Sequence, residues 1–114
     1  MKVFISQPMK NKTPEEIKAV RLAVEMMIKA IFPKKKIEVI DSYFEGNAAS
    51  ESPLANLGKS LELLSTADIA VFCYGWEEAR GCRIESAACV AYEIPFIEVT
   101  NGYQSALIKE ENYD

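Results

Sequence analysis

Residues 69–73 read Ile-Ala-Val-Phe-Cys, an unbroken apolar run that lies between Asp68 and Tyr74. A run this short and this continuous is typical of a parallel strand that is covered on both faces. We therefore expect residues 69–73 to form the central strand of a sheet.

Three other short apolar runs predict strands, at residues 3–5, 37–40 and 96–99. The first of these runs stops abruptly at Ser6-Gln7-Pro8, as expected of a buried strand that leads into a loop. Each run is separated from the next by a segment long enough to hold a helix, which favours parallel rather than hairpin connections.

The segments between the strands carry helical patterns. Thr13, Pro14 and Glu16 combine an N-cap residue, a proline at the first helical position and a glutamate at the third, which is a capping box. A second helix is predicted to begin at Ser52-Pro53, and a third to follow Gly81. Strands and helices therefore alternate along the chain.

This alternation predicts an α/β fold, namely a Rossmann-like doubly wound parallel sheet of four to five strands with helices on both faces. At 114 residues the chain has the length of a single domain, so we expect one domain over residues 1–114. After the last strand, Asn101-Gly102 predicts a turn into a short terminal helix around Ser105 to Ile108.

The composition restricts the partners and the catalytic mechanisms that are expected of this chain. The formal net charge is −4 and the chain has no histidine. An acidic chain offers no basic field to a phosphate backbone, so nucleic acid is not an expected partner. The lack of histidine removes Ser-His-Asp and Cys-His catalysis, and an enzyme built from this chain would depend on carboxylates.

The sequence also predicts a cytoplasmic protein without a membrane partner. No apolar run approaches the roughly 18 residues that a membrane-spanning helix needs, and the chain passes from Met1-Lys2 directly into a strand. The cysteines Cys73, Cys82 and Cys89 lack metal-ligand or disulfide spacing, so we interpret them as reduced core residues.

In a doubly wound sheet, ligands bind outside the carboxyl ends of the strands, where the winding reverses. The loops that follow the predicted strands share this rim. The residues predicted there as ligand contacts are Ser6, Gln7, Pro8, Met9, Asp41, Ser42, Gly75, Trp76, Arg80 and Gly81. Neither a G-x-G-x-x-G motif after the first strand nor a P-loop motif is present, which argues against dinucleotide dehydrogenases and P-loop NTPases.

Glu85 is the candidate reactive group. It lies about one turn into the third helix with apolar neighbours, so partial desolvation would suit a nucleophile or a general acid. From the pattern alone, a salt bridge at the rim with Arg80 or Arg83 is an equally good interpretation.

Two other features of the rim suggest ligand contacts. Arg80-Gly81 before the third helix offers a guanidinium and free backbone N–H groups, which suit a phosphate, although a solvated turn explains the pair as well. Tyr43, Phe44, Tyr74 and Trp76 supply aromatic rings that could stack on a nucleobase, or that could instead cover the core or a dimer contact.

Three segments together resemble the nucleoside 2-deoxyribosyltransferase-like superfamily, which includes the 2′-deoxynucleoside 5′-phosphate N-hydrolases. They are K-V-F-I-S-Q-P-M, T-A-D-I-A-V-F-C-Y-G-W and R-G-C-R-I-E-S-A-A-C-V-A-Y-E-I-P-F-I. The chain is most similar to a small branch found in bacteria and their phages. In that branch Q-P-M, L-G-K-S-L-E-L and G-W-E-x-A-R-G-C-x-I-E recur, and the resemblance covers nearly the entire chain.

The resemblance implies cleavage of the N-glycosidic bond of a deoxynucleoside or its monophosphate, by hydrolysis or by deoxyribosyl transfer. The family's nucleophilic glutamate matches Glu85, and the chemistry it implies is a retaining double displacement. It also implies a nucleoside or nucleotide ligand, no metal, no organic cofactor, and a homodimer or higher homo-oligomer.

The chain departs from the family pattern at three positions. Phe4 stands where the family has a tyrosine, Ser60 where it has a sugar-contacting aspartate, and Ala79 near its phosphate-contacting serine, with Arg80 next to it. Phe4 and Ser60 favour the alternative of a non-catalytic binder of a nucleotide or an ADP-ribose-type ligand, such as a phage protein that sequesters a signalling nucleotide. A structural or protein-interaction role is the third possibility.

Overall fold

The computed structural model describes residues 1–43 and 52–100 and the backbone of residues 106–108. In chain order the strands are β1 (Lys2–Ser6), β2 (Glu38–Val39), β3 (Ile69–Phe72), β4 (Phe96–Val99) and β5 (Ala106–Ile108). The helices are α1 (Pro14–Ile31), α2 (Pro53–Leu64) and α3 (Arg80–Ala91), with a 3₁₀ turn at Trp76–Glu78.

The strands form one sheet in the order β2-β1-β3-β4-β5. The first four strands are parallel, which confirms the predicted α/β fold with a Rossmann-like parallel sheet. β3 lies between β1 and β4, so the apolar run at residues 69–73 does supply a central strand. The winding reverses between β1 and β3, because β2 lies on one side of β1 and β3 and β4 lie on the other.

The prediction for the end of the chain is wrong where the structure describes it. Residues Ala106–Ile108 form a strand, not a helix, and this strand pairs antiparallel with β4. Ser105, the predicted start of that helix, lies outside the described residues. The pairing satisfies the backbone groups along the edge of β4, which a helix at this place would leave without strand partners.

The core lies on both faces of the sheet, as the sequence predicts. On one face, Val24 and Ile28 of α1 pack against the strand residues Val3, Ile5, Ile69, Val71 and Ile97. On the other face, Leu64 at the end of α2 and Cys89 of α3 pack against Phe4, Ala70, Phe72 and Phe96. The two faces of the sheet are therefore covered by different helices, α1 on one face and α2 with α3 on the other.

The ends of α1 follow from its sequence. The Thr13 side chain accepts a hydrogen bond from the Glu16 N–H, and the Glu16 carboxylate accepts one from the Thr13 N–H, so the predicted capping box is present. Phe32 caps the other end, immediately before Pro33. Both hydrogen bonds fix the point at which the loop after β1 enters the helix, and this loop borders the candidate site.

Candidate functional site

The carboxyl ends of β1 and β3 meet at the reversal point of the sheet. Ser6 is level with Phe72, and the Cys73 N–H donates to the Ser6 carbonyl at 2.9 Å. Because side chains alternate along a strand, Ser6 projects to the same face as Phe4, where α2 and α3 lie. Glu85 of α3 approaches Ser6 from this face.

Ser6 and Glu85 form the central contact of the site. The Ser6 hydroxyl donates to Glu85 Oε1 at 2.6 Å, and both side chains are buried. No other hydrogen bond to Glu85 is found among the described residues, yet every buried side-chain oxygen there has a partner. The Glu85 side chain also lines a cavity on this side of the sheet.

Burial raises the pKa of Glu85 above its ordinary value, and the hydrogen bond from Ser6 opposes this rise. The alternative of a salt bridge with Arg80 or Arg83 is wrong. Within residues 1–43 and 52–100, Glu85 has no ion pair, and Arg83 instead donates to the Glu77 carbonyl at 2.9 Å. Glu85 is thus a desolvated carboxyl held by one hydroxyl.

This arrangement leads to a prediction for Ser6→Ala. Loss of the hydroxyl removes the contact that lowers the pKa of Glu85, so we expect that pKa to rise further. The measurement is an NMR titration of the ¹³C-labelled glutamate carboxyls. Ser42→Ala is the matched control, since Ser42 is also buried but accepts a hydrogen bond from Arg21 and forms none with Glu85. An unchanged pKa in Ser6→Ala would show that the hydroxyl does not stabilise the carboxylate.

A cavity of about 270 Å³ opens beside Glu85 on the α2 and α3 side of the sheet. This volume lies near the lower end of ligand pockets, which begin at about 300 Å³. The wall is mixed in character, with hydroxyl, amide and apolar groups. The residues predicted from the sequence that line this cavity are Ser6, Gln7, Met9, Ser42, Ser60, Gly81 and Glu85. Asn56 and Leu57 also line it, and the sequence analysis did not predict them.

A wider cleft of about 1340 Å³ lies on the α1 side. The cleft and the cavity share the lining residues Gln7, Met9, Pro53, Ala79 and Gly81, so they meet across the carboxyl edge of the sheet. The cleft contains the cationic side chains Lys10, Lys12 and Arg80 and the acidic side chains Glu16 and Glu78. Of the predicted contacts, Pro8, Gly75 and Arg80 line only this cleft.

Arg21 is a residue of the site region that the sequence reasoning missed. Its guanidinium donates to Gln7 Oε1 at 3.1 Å, to the Ile40 carbonyl at 2.9 Å and to the Ser42 hydroxyl at 3.2 Å. The Gln7 amide in turn donates to the Ile17 carbonyl at 3.3 Å. Arg21 thereby joins the ends of β1 and β2, and burial lowers its pKa.

We expect Arg21→Met to destabilise the fold by about 2–3 kcal/mol, because it leaves the buried Gln7 amide oxygen and the Ile40 carbonyl without their donor. The free energy of unfolding, measured by urea denaturation, tests this expectation. Arg83→Met is the control, since Arg83 is exposed and should change stability by less than about 0.5 kcal/mol. Equal effects of the two substitutions would contradict the structural role of Arg21.

The remaining predicted contacts lie at the border of the site or outside it. Asp41 is exposed and lines neither the cavity nor the cleft. Trp76 is half-buried against Phe72, with ring centroids 5.4 Å apart, and it too lines neither space. Tyr43 lines the cavity and Tyr74 the cleft, whereas Phe44 lies outside the described residues. The roles of these side chains in binding stay predictions.

The two glycines of the rim differ in what the backbone requires. Gly75 has a φ of 85°, which L side chains rarely adopt, so the turn after β3 depends on it. A Cβ at Gly81 would meet only Leu57 Cδ1, at 3.9 Å. Packing therefore does not demand the glycine at position 81, and its bare backbone borders both spaces.

The three cysteines are free and buried, which confirms their interpretation as core residues. Burial raises the pKa of Cys82 to about 11 and those of Cys73 and Cys89 to about 12, so none forms a thiolate near neutral pH. No cluster of three or more histidine, cysteine or acidic side chains suited to a metal ion occurs in the described part of the chain. Among the described residues, Glu85 is the acidic side chain that lines the cavity and is therefore the candidate reactive group.

The chain matches no protein-family model, no curated protein and no solved structure. None of the helices in residues 1–43 and 52–100 is long and apolar enough to cross a membrane.

Proposed function

We propose that the protein cleaves the N-glycosidic bond of a nucleoside or nucleotide, by hydrolysis or by transfer of the deoxyribosyl group, with Glu85 as the nucleophile. The observation that carries this proposal is the Ser6–Glu85 hydrogen bond at the reversal point of the sheet. It fixes one carboxylate oxygen at 2.6 Å from the hydroxyl, in a side chain that lines the cavity. A carboxylate held in this way is suited to in-line attack on an anomeric carbon.

The chemistry balances without a cofactor. Glu85 Oε2 attacks the anomeric carbon, the carbon–nitrogen bond breaks, and its electron pair passes to the base, which takes a proton from water. Water, or the nitrogen of a second base, then attacks the glycosyl ester and releases Glu85 as a carboxylate. Two displacements on one carbon retain its configuration.

Arg80, one of three cationic side chains that line the wide cleft among the described residues, supports a phosphorylated substrate. Arg80 is the first residue of α3, and it lines the cleft next to Gly81, which also borders the cavity. The cavity beside Glu85 and the cleft share Ala79 and Gly81 as a border, so a substrate that fills the cavity can extend its 5′ substituent into the cleft. A guanidinium beside a helix N-terminus is a favourable partner for a phosphate.

The test is an incubation of the wild-type protein with ribonucleosides, deoxyribonucleosides, their monophosphates and ADP-ribose derivatives, followed by chromatography for free base. A mechanism-based 2′-fluoro nucleoside, tested beside the panel, should add one glycosyl group to the protein, located on Glu85 by peptide mass spectrometry. Base release without any such ester would contradict Glu85 as nucleophile.

A second function is a non-catalytic binder of a nucleotide or an ADP-ribose-type ligand. The observation that favours it is the wall of the cavity, where the phenyl ring of Phe4 and the hydroxyl of Ser60 supply neither an acid nor a base beside Glu85. This candidate predicts that a member of the panel raises the melting temperature while no base is released.

A further inference from the structure

Gln7 follows Ser6 at the carboxyl end of β1, but the two side chains bond to opposite layers of the fold. The Ser6 hydroxyl bonds to Glu85 of α3. The Gln7 amide instead bonds to Ile17 and Arg21, which belong to α1. Because α1 and α3 cover opposite faces of the sheet, the candidate nucleophile and the Gln7 amide lie on opposite sides of one strand end.

The hydrogen bonds of Gln7 fix the orientation of its amide. A guanidinium can only donate, so the atom 3.1 Å from Arg21 Nη1 is the amide oxygen. A carbonyl can only accept, so the atom 3.3 Å from the Ile17 oxygen is the amide nitrogen. An amide nitrogen carries two N–H groups, and the Ile17 carbonyl is the one acceptor that this nitrogen has among the described residues. A second N–H is therefore left for a ligand.

Arg21 makes this N–H a stronger donor. Its cationic guanidinium bonds to the Gln7 amide oxygen and polarises the amide, as hydrogen bonds in series do inside a protein. Gln7 is 6% exposed and lines both the cavity and the wide cleft, so it lies where these two spaces meet. A fixed and polarised donor in such a place is suited to stabilise negative charge that develops during a reaction.

The shape of a β-nucleoside matches the two sides of this strand end. Its base and its 5′ substituent project from one face of the furanose ring, and an in-line displacement of the base enters from the other face. When Glu85 attacks from the cavity, both substituents point away from it, toward the wide cleft. The cleft has a volume of about 1340 Å³ against about 270 Å³ for the cavity, so it has room for both.

We propose that the nucleobase binds in the wide cleft and that Gln7 is a catalytic residue, whose remaining N–H donates to the base as the glycosidic bond breaks. The electron pair of the carbon–nitrogen bond passes to the base ring, and the hydrogen bond stabilises this charge until a proton arrives from water. Gln7 itself transfers no atom. The inference rests on the proposed function, because it assigns the leaving-group side of the same displacement.

The dependence of the rate on the leaving group tests this role. Halogen or nitro substituents on the ring of the base that the panel identifies make it a better leaving group, which needs less help from a donor. On the unsubstituted base, Gln7→Met should lose about 10²- to 10³-fold in kcat/KM, as expected when one preorganised donor is removed. The loss should shrink along the series, so that log kcat/KM rises more steeply with base acidity in the variant than in wild type.

The slope of this plot separates a catalytic role from a structural one, since a loss of folded protein lowers the rate on every substrate equally. An equal loss across the series overturns the proposal for Gln7, whereas base release by the wild type still supports the proposed function. A wild-type protein that releases no base overturns both.

A second variant guards against loss of the fold, because Gln7→Met also takes an acceptor from Arg21. Gln7→Glu keeps an oxygen beside the guanidinium but has no N–H. We expect it to keep a melting temperature close to that of the wild type and to lose about 100-fold or more in kcat/KM on the unsubstituted base. A folded Gln7→Glu protein with wild-type base release overturns the role of the N–H.

The position of the base has its own test, which uses the wild-type protein. A bulky substituent on the ring, such as N6-benzyl on adenine or 5-propynyl on uracil, should change kcat/KM little, because the wide cleft has room for it. The same bulk on the 3′ oxygen of the sugar should abolish cleavage, since the sugar lies at the cavity. Loss of cleavage with both kinds of substituent would place the base in the cavity and would overturn the proposal.

Discussion

The Glu85→Gln variant should lose base release by about four orders of magnitude or more relative to wild type, because the amide cannot attack an anomeric carbon. The amide oxygen still accepts the hydrogen bond from Ser6, so the variant keeps the geometry of the site. Glu62→Gln is the matched control, since Glu62 is exposed on α2 and lines neither the cavity nor the wide cleft. Residual base release above a few per cent in Glu85→Gln would exclude Glu85 as the nucleophile.

Glu85→Gln also has a signature in stability that does not require a substrate. Burial raises the pKa of Glu85 in the folded state above the ordinary value of 4.5, so ionisation opposes folding. The free energy of unfolding of the wild type should therefore fall as the pH rises from about 4.5 through the raised pKa. Glu85→Gln lacks this fall, and its stability relative to wild type should increase over the same range.

Urea denaturation at a series of pH values measures this difference, and Glu62→Gln should keep the wild-type fall because Glu62 is exposed. Turnover should depend on pH in the opposite direction to the free energy of unfolding. The nucleophile is the ionised form, so the rate should rise with pH through the raised pKa of Glu85. Parallel pH curves for wild type and Glu85→Gln would show that Glu85 is not the titrating group.

Phe72→Ala should cause the largest loss of stability, about 3–5 kcal/mol, because it leaves a cavity in the middle of the sheet. Phe72 is fully buried on β3, and its ring packs on Phe96 with centroids 5.7 Å apart. This loss is comparable to the whole stability of a marginal domain, about 5 kcal/mol at the low end. Phe72→Leu, which keeps most of the volume, should lose only about 1–2 kcal/mol and remain folded.

The fluorescence of Trp76 reports the unfolding transition, since it is the single tryptophan and contacts the Phe72 ring. Tyr92→Ala serves as the control, because Tyr92 is 80% exposed and its loss should change stability by less than about 0.5 kcal/mol. A Phe72→Ala midpoint close to that of Tyr92→Ala would contradict the central position of β3.

The parts of the fold that were predictable are those with strong local signals. Residues 69–73 have no charged or hydroxyl side chain, and Thr13-Pro14 with Glu16 satisfies the backbone at the start of α1 without help from the rest of the chain. The end of the chain has no such signal. Ala106–Ile108 is an apolar run of three residues, which is too short to show the periodicity of either a helix or a strand. Pairing with the edge of β4 makes it a strand.

The sequence predicts those residues of the site that directly follow the carboxyl ends of the strands. Ser6 and Glu85 were both expected on the rim, but their contact depends on which face of β1 Ser6 occupies, and only the assembled sheet decides that. The sequence does carry a signal for Arg21. It lies four residues after Ile17 and three before Val24, so a guanidinium falls within the buried stripe of α1 and needs polar partners there.

The position of β1 between β2 and β3 bears on the order of events during synthesis. The Lys2 N–H pairs with Asp68, 66 positions further along the chain, and the Ser6 hydroxyl meets Glu85 across 79 positions. At about 5–20 residues per second, the ribosome needs several seconds to supply β3 after β1 has been made. During that interval an apolar strand has an unpaired edge, which is a template for pairing with another chain. Glu85 can acquire its hydroxyl partner only after α3 has been translated, so the Ser6–Glu85 contact forms late in synthesis.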